Sequence, residues 1–358
     1  MPGLIRRFTP PWVEAVVHGL ILLAALALIA GCERPTLVQQ EAFVFGTRVE
    51  VIVAGQPEAQ ARTATAAVLR EFDRLHRRYH AWQPSELSAL NTALAASQTF
   101  ETSPELSGWL QEAKTLSAAG DGLFDPGLGR LIALWGFHND EYKPALPEPA
   151  ALAAWRAAPG SIADMRIDGT RVSSRSPNVA IDLGGYLKGV ALDRAADILR
   201  AQGVHNALIN IGGNVMALGR KNGEPWRVGI RHPRQAGALA TVELADGEAL
   251  GTSGDYQRFF EVDGLRYSHL LDPRSAEPVQ HTRALTILIP AGAHSGMRSD
   301  ALSKPLFIAG NTWPELAGRL GVTHVLRVDA EGQIEISAAL KARIKLITDP
   351  PSAPRIVP

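Results

Sequence analysis

Apolar and polar positions follow two different rhythms along this chain. Residues 43–53 alternate, with Phe43, Phe45, Thr47, Val49 and Val51 on one side and Val44, Gly46, Arg48, Glu50 and Ile52 on the other, the period of a half-buried strand. From Pro57 to Trp82 the spacing lengthens: Val68, Phe72, Leu75 and Tyr79 step by four and three, which is one face of a helix. Residues 104–119 predict a second helix, opened by Pro104 and stopped at Gly120. Residues 139–159, rich in Ala, Pro and Glu, predict a surface excursion. Residues 182–202 hold a Gly-Gly turn and then a helix carrying Leu187, Val190, Ala191, Ala195, Ile198 and Leu199. Short apolar runs bounded by Gly, Pro or Asn then predict strands at 207–211, 215–218, 226–231, 240–244, 259–262, 265–271 and 284–289. Asp263-Gly264 marks a hairpin between two of them. Helical spacing returns at 300–309 and 313–320, followed by a hairpin about 329–332 and a proline-rich end expected to be loose. Helices first and strands later predict an α+β fold rather than a doubly wound parallel sheet.

One apolar run fits neither rhythm. Arg6 and Arg7 precede a nearly unbroken apolar stretch from Val16 to Ala30, which ends Ile29-Ala30-Gly31-Cys32. Small residues before the cysteine suit a signal peptidase, and the tetrapeptide resembles the lipobox of bacterial lipoproteins, with Ile29 where Leu is usual. The resemblance implies that Cys32 is lipidated and becomes the first residue of the mature chain. The plainer reading is an uncleaved anchor with an incidental thiol. The expected organisation is a signal peptide over 1–31, a tether over 32–42, a domain over 43–337 and a tail over 338–358, on the outer side of the cytoplasmic membrane.

Composition narrows the chemistry. Lys plus Arg and Asp plus Glu are 36 each, so the formal net charge is zero and the basic excess of a phosphate-neutralising nucleic-acid binder is absent. A single cysteine excludes an internal disulfide framework and a cysteine-based zinc site.

The chemistry-bearing segments are short. Gly46 lies within the first predicted strand, where glycine marks a bulge or close approach by a ligand. Trp82 precedes Ser85-Glu86-Leu87-Ser88, whose serines suit a helix cap. Gly120-Asp121-Gly122-Leu123-Phe124-Asp125-Pro126 is a tight turn. Asp182-Leu183-Gly184-Gly185-Tyr186-Leu187-Lys188-Gly189 opens a helix with a glycine pair, which lets backbone N–H groups face an anion that Lys188 can reach one turn in; the plainer reading is a capped helix with a surface lysine. Asn210-Ile211-Gly212-Gly213-Asn214 joins two strands. Ser253, Asp255 and His269 flank the Asp263-Gly264 hairpin and raise a Ser-His-Asp triad, against which stands the lack of a Gly-x-Ser-x-Gly elbow. Asp300 opens a late helix, as its cap or as an oxygen ligand for Mg²⁺.

Taken in order, these segments resemble the ApbE-like FAD:protein FMN transferases, from about Phe43 to Leu326. The resemblance implies an α+β fold of two intertwined halves about a flavin. It implies transfer of FMN from FAD, with Mg²⁺, to a threonine hydroxyl of flavin-acceptor subunits in membrane redox complexes facing the periplasm. Phe45, Trp82, Leu123, Phe124, Asp125, Asp182, Lys188 and Leu271 match FAD-contacting positions. Phe45 replaces a methionine. His269 matches the base that acts on threonine. Gly185, through its carbonyl, Asp300, Ser303 and Lys304 match metal positions, and Lys304 stands where the family has Thr. A charged lysine cannot ligate Mg²⁺, so the ammonium replaces the metal, or Mg²⁺ keeps fewer protein ligands, or Lys304 turns away. A flavin-carrying lipoprotein and an FAD pyrophosphatase share the same motif set. The lipid anchor suits either the cytoplasmic or the outer membrane.

Overall fold

The computed structural model describes residues 37–139, 143–347 and 353–357. The signal segment and Cys32 lie outside the described residues. A nine-stranded sheet takes its strands in chain order: β1 (Leu37–Val44), β2 (Thr47–Ala54), β3 (Ala207–Ile211), β4 (Asn214–Leu218), β5 (Ala249–Gly254), β6 (Thr282–Ile289), β7 (His324–Asp329), β8 (Ile334–Ser337) and β9 (Arg355–Val357). Each pairs antiparallel with the next, except β9, which runs parallel to β8. The helices are α1 (Glu58–Arg78), α2 (Glu86–Ala95), α3 (Pro104–Ala119), α4 (Gly129–Leu134), α5 (Pro149–Ala157), α6 (Leu187–Ala201), α7 (Ser295–Ala309), α8 (Trp313–Leu320) and α9 (Ala338–Lys341). The α+β expectation holds.

Alternation along the strands sends apolar side chains to both faces of the sheet. Met216 and Leu218 of β4 face α1 and α6, while Val215 and Ala217 face a three-stranded sheet of Trp226–Arg231, Ala238–Leu244 and Ile344–Leu346. On β6, Leu285, Ile287 and Ile289 pack with α7 and α8, and Ala284 and Leu288 pack with the small sheet. The α1 face is the one its spacing predicts, with Val68, Phe72 and Leu75 buried.

Several expectations need correction. Residues 43–53 are not one strand: Phe45 and Gly46 both adopt positive φ, 57° and 67°, and turn β1 back on β2. Accordingly most of the supposed tether is β1, whose Leu37 pairs with Ala54. The supposed tail is likewise built in: Leu340 and Ile344 join the core, and Arg355 of β9 forms an ion pair with Glu335. The first helix stops at Arg78 because residues 79–85 set up the next one, where Ser85 and Ser88 form a reciprocal capping box. The excursion at 139–159 contains α5, whose Leu152 and Trp155 are buried. The strand expected at 265–271 breaks at His269 and Leu270.

The late helix positions the site. It begins at Ser295, not Asp300, and its cap position is His294 in a left-handed conformation without a capping side-chain bond. The missing acceptor comes from α6: Asp193 accepts hydrogen bonds from the N–H groups of Gly296 and Met297, both at 2.8 Å. Asp300 is therefore in mid-helix, facing α6. The two helices touch backbone to backbone. A Cβ on Gly189 would lie 2.5 Å from the Gly296 carbonyl oxygen, and one on Gly296 would lie 2.6 Å from that of Gly189. Gly189→Ala should destabilise the fold by about 1–3 kcal/mol, the usual cost of overpacking. Urea denaturation reads it, and an unchanged midpoint would show that the crossing yields freely.

Candidate active site

At the end of the sheet where β1 turns into β2 and β3 into β4, a cavity of about 770 Å³ opens between the strand ends and the loops beneath α1 and α6. Eleven of the thirteen positions singled out in the sequence line it: Phe45, Trp82, Leu123, Phe124, Asp125, Asp182, Gly185, Lys188, His269, Leu271 and Lys304. Asp300 and Ser303 are fully buried.

Asp300 is the centre of the polar cluster. Its Oδ1 takes an ion pair from the Lys304 ammonium and stands 3.9 Å from Lys188 Nζ, and its Oδ2 accepts from the Gly189 N–H at 3.0 Å. Burial pushes this carboxyl up, but the charges of Lys188 and Lys304 outweigh it and hold it below the usual carboxylate range. Lys304 also donates to the Asp300 carbonyl at 2.7 Å. Burial pulls its ammonium down to about 8 against the attraction of Asp300. Lys188 donates to the Gly184 carbonyl at 2.5 Å. Ser303 donates to the Asp300 carbonyl and shares a 2.8 Å hydrogen bond with Ser253. Lys304 has therefore not turned away: its stem lies over Gly185, where an added Cβ would meet Cε at 3.1 Å.

His269 sits in the gap between two short strands. Its Nδ1 is 3.2 Å from the Arg258 carbonyl, which can only accept, so Nδ1 carries the proton and Nε2 keeps its lone pair. Burial, then the Arg258 charge, push its pKa down to about 3. A neutral imidazole of this tautomer is a proton acceptor. No serine triad forms, because Ser253 bonds Ser303 and Asp255 pairs with Arg234 at 2.5 Å.

The apolar wall is aromatic. The Phe45 ring lies 6.0 Å from Phe72, Phe124 stacks on Tyr186 at 6.4 Å, and Trp82 lies beneath the Arg258 guanidinium at 5.9 Å. Leu123 and Leu271 are buried beside them. Two carboxylates expected to touch ligand also brace turns. Asp125 accepts from the N–H groups of Gly127 and Ile162 at 2.7 and 2.8 Å, and Asp182 accepts from that of Gly184 at 2.7 Å. Sequence reading missed Arg231, Tyr256 and Arg258, which also line the cavity. The signal was at hand for two of them, since Tyr256 ends the 252–256 segment beside the hairpin and Arg258 lies two residues on. Four cationic side chains and a set of planar apolar ones describe a ligand with an aromatic part and an anionic part.

The ApbE family model matches residues 45–326. The chain is 41% identical to the FAD:protein FMN transferase of Rhodobacter capsulatus over 334 residues, which is 92% of this chain and 63% of that protein, so it spans less than two thirds of that relative. It is 32% identical to the FAD:protein FMN transferase of Vibrio cholerae, over 81% of this chain and 87% of the other. Among solved structures, the ApbE protein of Thermotoga maritima superposes with a TM-score of 0.78 at 31% identity, covering 86% of this chain and 99% of that one.

The neutral His269 has a measurable consequence. Its folded pKa lies below the unfolded value of about 6.5, so the unfolded chain binds the extra proton first and stability is lost as pH falls below about 6.5. The His269 ring resonances should stay constant by NMR from about pH 8 to about pH 4. Titration near 6.5 would show a solvated, ordinary imidazole.

Proposed function

The chain belongs to the ApbE family, and on that footing we propose that its cavity binds FAD and passes the FMN half to a threonine hydroxyl of an acceptor protein, releasing AMP. The observation that carries the reading is one cavity holding an uncharged imidazole with a free Nε2 beside a lysine-lined floor. The threonine oxygen attacks the FMN phosphorus and a new P–O bond forms. The bond from that phosphorus to the bridging oxygen breaks, and AMP leaves with the oxygen. His269 Nε2 takes the hydroxyl proton. Lys188 and Lys304 offset charge on the phosphoryl oxygens, and positioning supplies most of the rest. Trp82 is the ring assigned to stacking on the flavin nucleotide.

The family resemblance implies Mg²⁺, but the donors at its expected position do not fit one. Both Asp300 oxygens are engaged, Ser303 is spent on Ser253 and a backbone carbonyl, and Lys304 brings a positive charge where an oxygen is needed. The acceptors proposed are flavin subunits of membrane redox complexes. The apolar leader ending at Cys32 supports a lipid-anchored location facing the periplasm.

Purified protein mixed with FAD and a flavin-acceptor domain should give a covalent fluorescent band. Free FMN and AMP without a band would mean water is the nucleophile, and bound intact FAD would mean a carrier. His269→Ala should keep FAD binding and lose about 10²–10⁴ in transfer rate. Transfer at the wild-type rate would remove the histidine from the chemistry. Trp82→Ala should weaken FAD binding with the melting temperature nearly unchanged, and undiminished affinity in a folded variant would take the ring out of the site.

A further inference from the structure

We infer that Lys304 stands in for a divalent cation: its ammonium, docked on Asp300 beside Lys188, is a built-in cation site that binds the FAD pyrophosphate without added metal. The inference rests on the flavin reading above and deepens it. An ammonium has three N–H donors. Lys304 places two on Asp300, one on the carbonyl and one on Oδ1, which leaves a third for a ligand in the cavity it lines. Lys188 places one on Gly184 and keeps others.

The arrangement is over-determined. Asp300 is fully buried, and a buried carboxylate demands a counter-charge. Lys304 lies one helical turn on from it, the spacing at which side chains meet on one helix face. The bare face of Gly185 leaves the trough in which the lysine stem lies, since a Cβ there would come within 3.1 Å of it. The Ser303 hydroxyl, another of the expected oxygens, is held by Ser253. A dication entering this cluster would meet two ammoniums and a carboxylate already neutralised. Arg231 and Arg258, which line the same cavity, add further positive charge to it.

FAD affinity of the purified chain, read by flavin fluorescence in EDTA and in excess Mg²⁺, tests the inference. Wild type should bind equally in both, within about twofold, and electron paramagnetic resonance should detect no Mn²⁺ held by the protein–FAD complex. Lys304→Met should bind about tenfold or more weakly in both buffers. Lys304→Thr should bind weakly in EDTA, recover about tenfold with Mg²⁺, and hold Mn²⁺. Wild-type affinity that rises tenfold with Mg²⁺, or Mn²⁺ held by wild type, would overturn the inference while leaving the flavin site intact. Absence of FAD binding by wild type in either buffer would overturn the flavin reading and this inference with it. Should either variant fail to fold, the wild-type comparison of the two buffers decides alone.

Discussion

A carboxylate sealed inside a helix crossing organises this site. Asp300 has no exposure to solvent, and its charge survives because the Gly189 N–H and the ammoniums of Lys304 and Lys188 converge on it. Removing a partner from such a buried cluster typically costs about 3–5 kcal/mol, because the remaining charge is left uncompensated. The crossing that buries Asp300 is tight because Gly189 and Gly296 let two backbones meet, and the helix that carries it is capped by Asp193 from its neighbour. The anchoring of α7 on α6 thus fixes where the lysines stand, and the lysines fix where anionic charge is welcome.

The same electrostatics bear on His269. An imidazole in a cavity shared with Lys188, Lys304 and Arg258 is kept neutral by burial and by those charges together. Neutrality leaves Nε2 able to accept a proton, and the same cations that keep the ring neutral favour anionic charge in the cavity. The Arg258 carbonyl sets which nitrogen keeps its lone pair, and the Arg258 guanidinium lies over Trp82, so one residue ties the imidazole to the aromatic wall.

Much of this was legible in the sequence, because the relevant physics is local. The spacing of Val68, Phe72 and Leu75 predicted the face α1 buries, and the Gly-Gly turns at 184–185 and 212–213 predicted where backbone meets the cavity. What escaped depends on pairing across the chain. Alternation through 43–53 looked like one strand, yet a two-residue turn shifts the parity: Val44 and Val49 are both buried, although simple alternation puts them on opposite faces. The start of α7 was misplaced because its cap lies about a hundred residues away, on Asp193. Arg231 and Arg258 reach the cavity only once the strands carrying them are packed. Lys304 was visible as a departure from the family pattern, but its choice among three behaviours needed Gly185 and Asp300 in three dimensions.

The central claim is that a lysine–carboxylate pair occupies the position of a metal and receives the pyrophosphate. A crystal structure of the protein grown with FAD and Mn²⁺, with anomalous data collected at the manganese edge, tests it most directly. The account predicts Lys304 Nζ still on Asp300 and within hydrogen-bond distance of a pyrophosphate oxygen, with no anomalous peak at the site. An anomalous peak bound by Asp300 and the Gly185 carbonyl, with Lys304 swung out of the cavity, would contradict it.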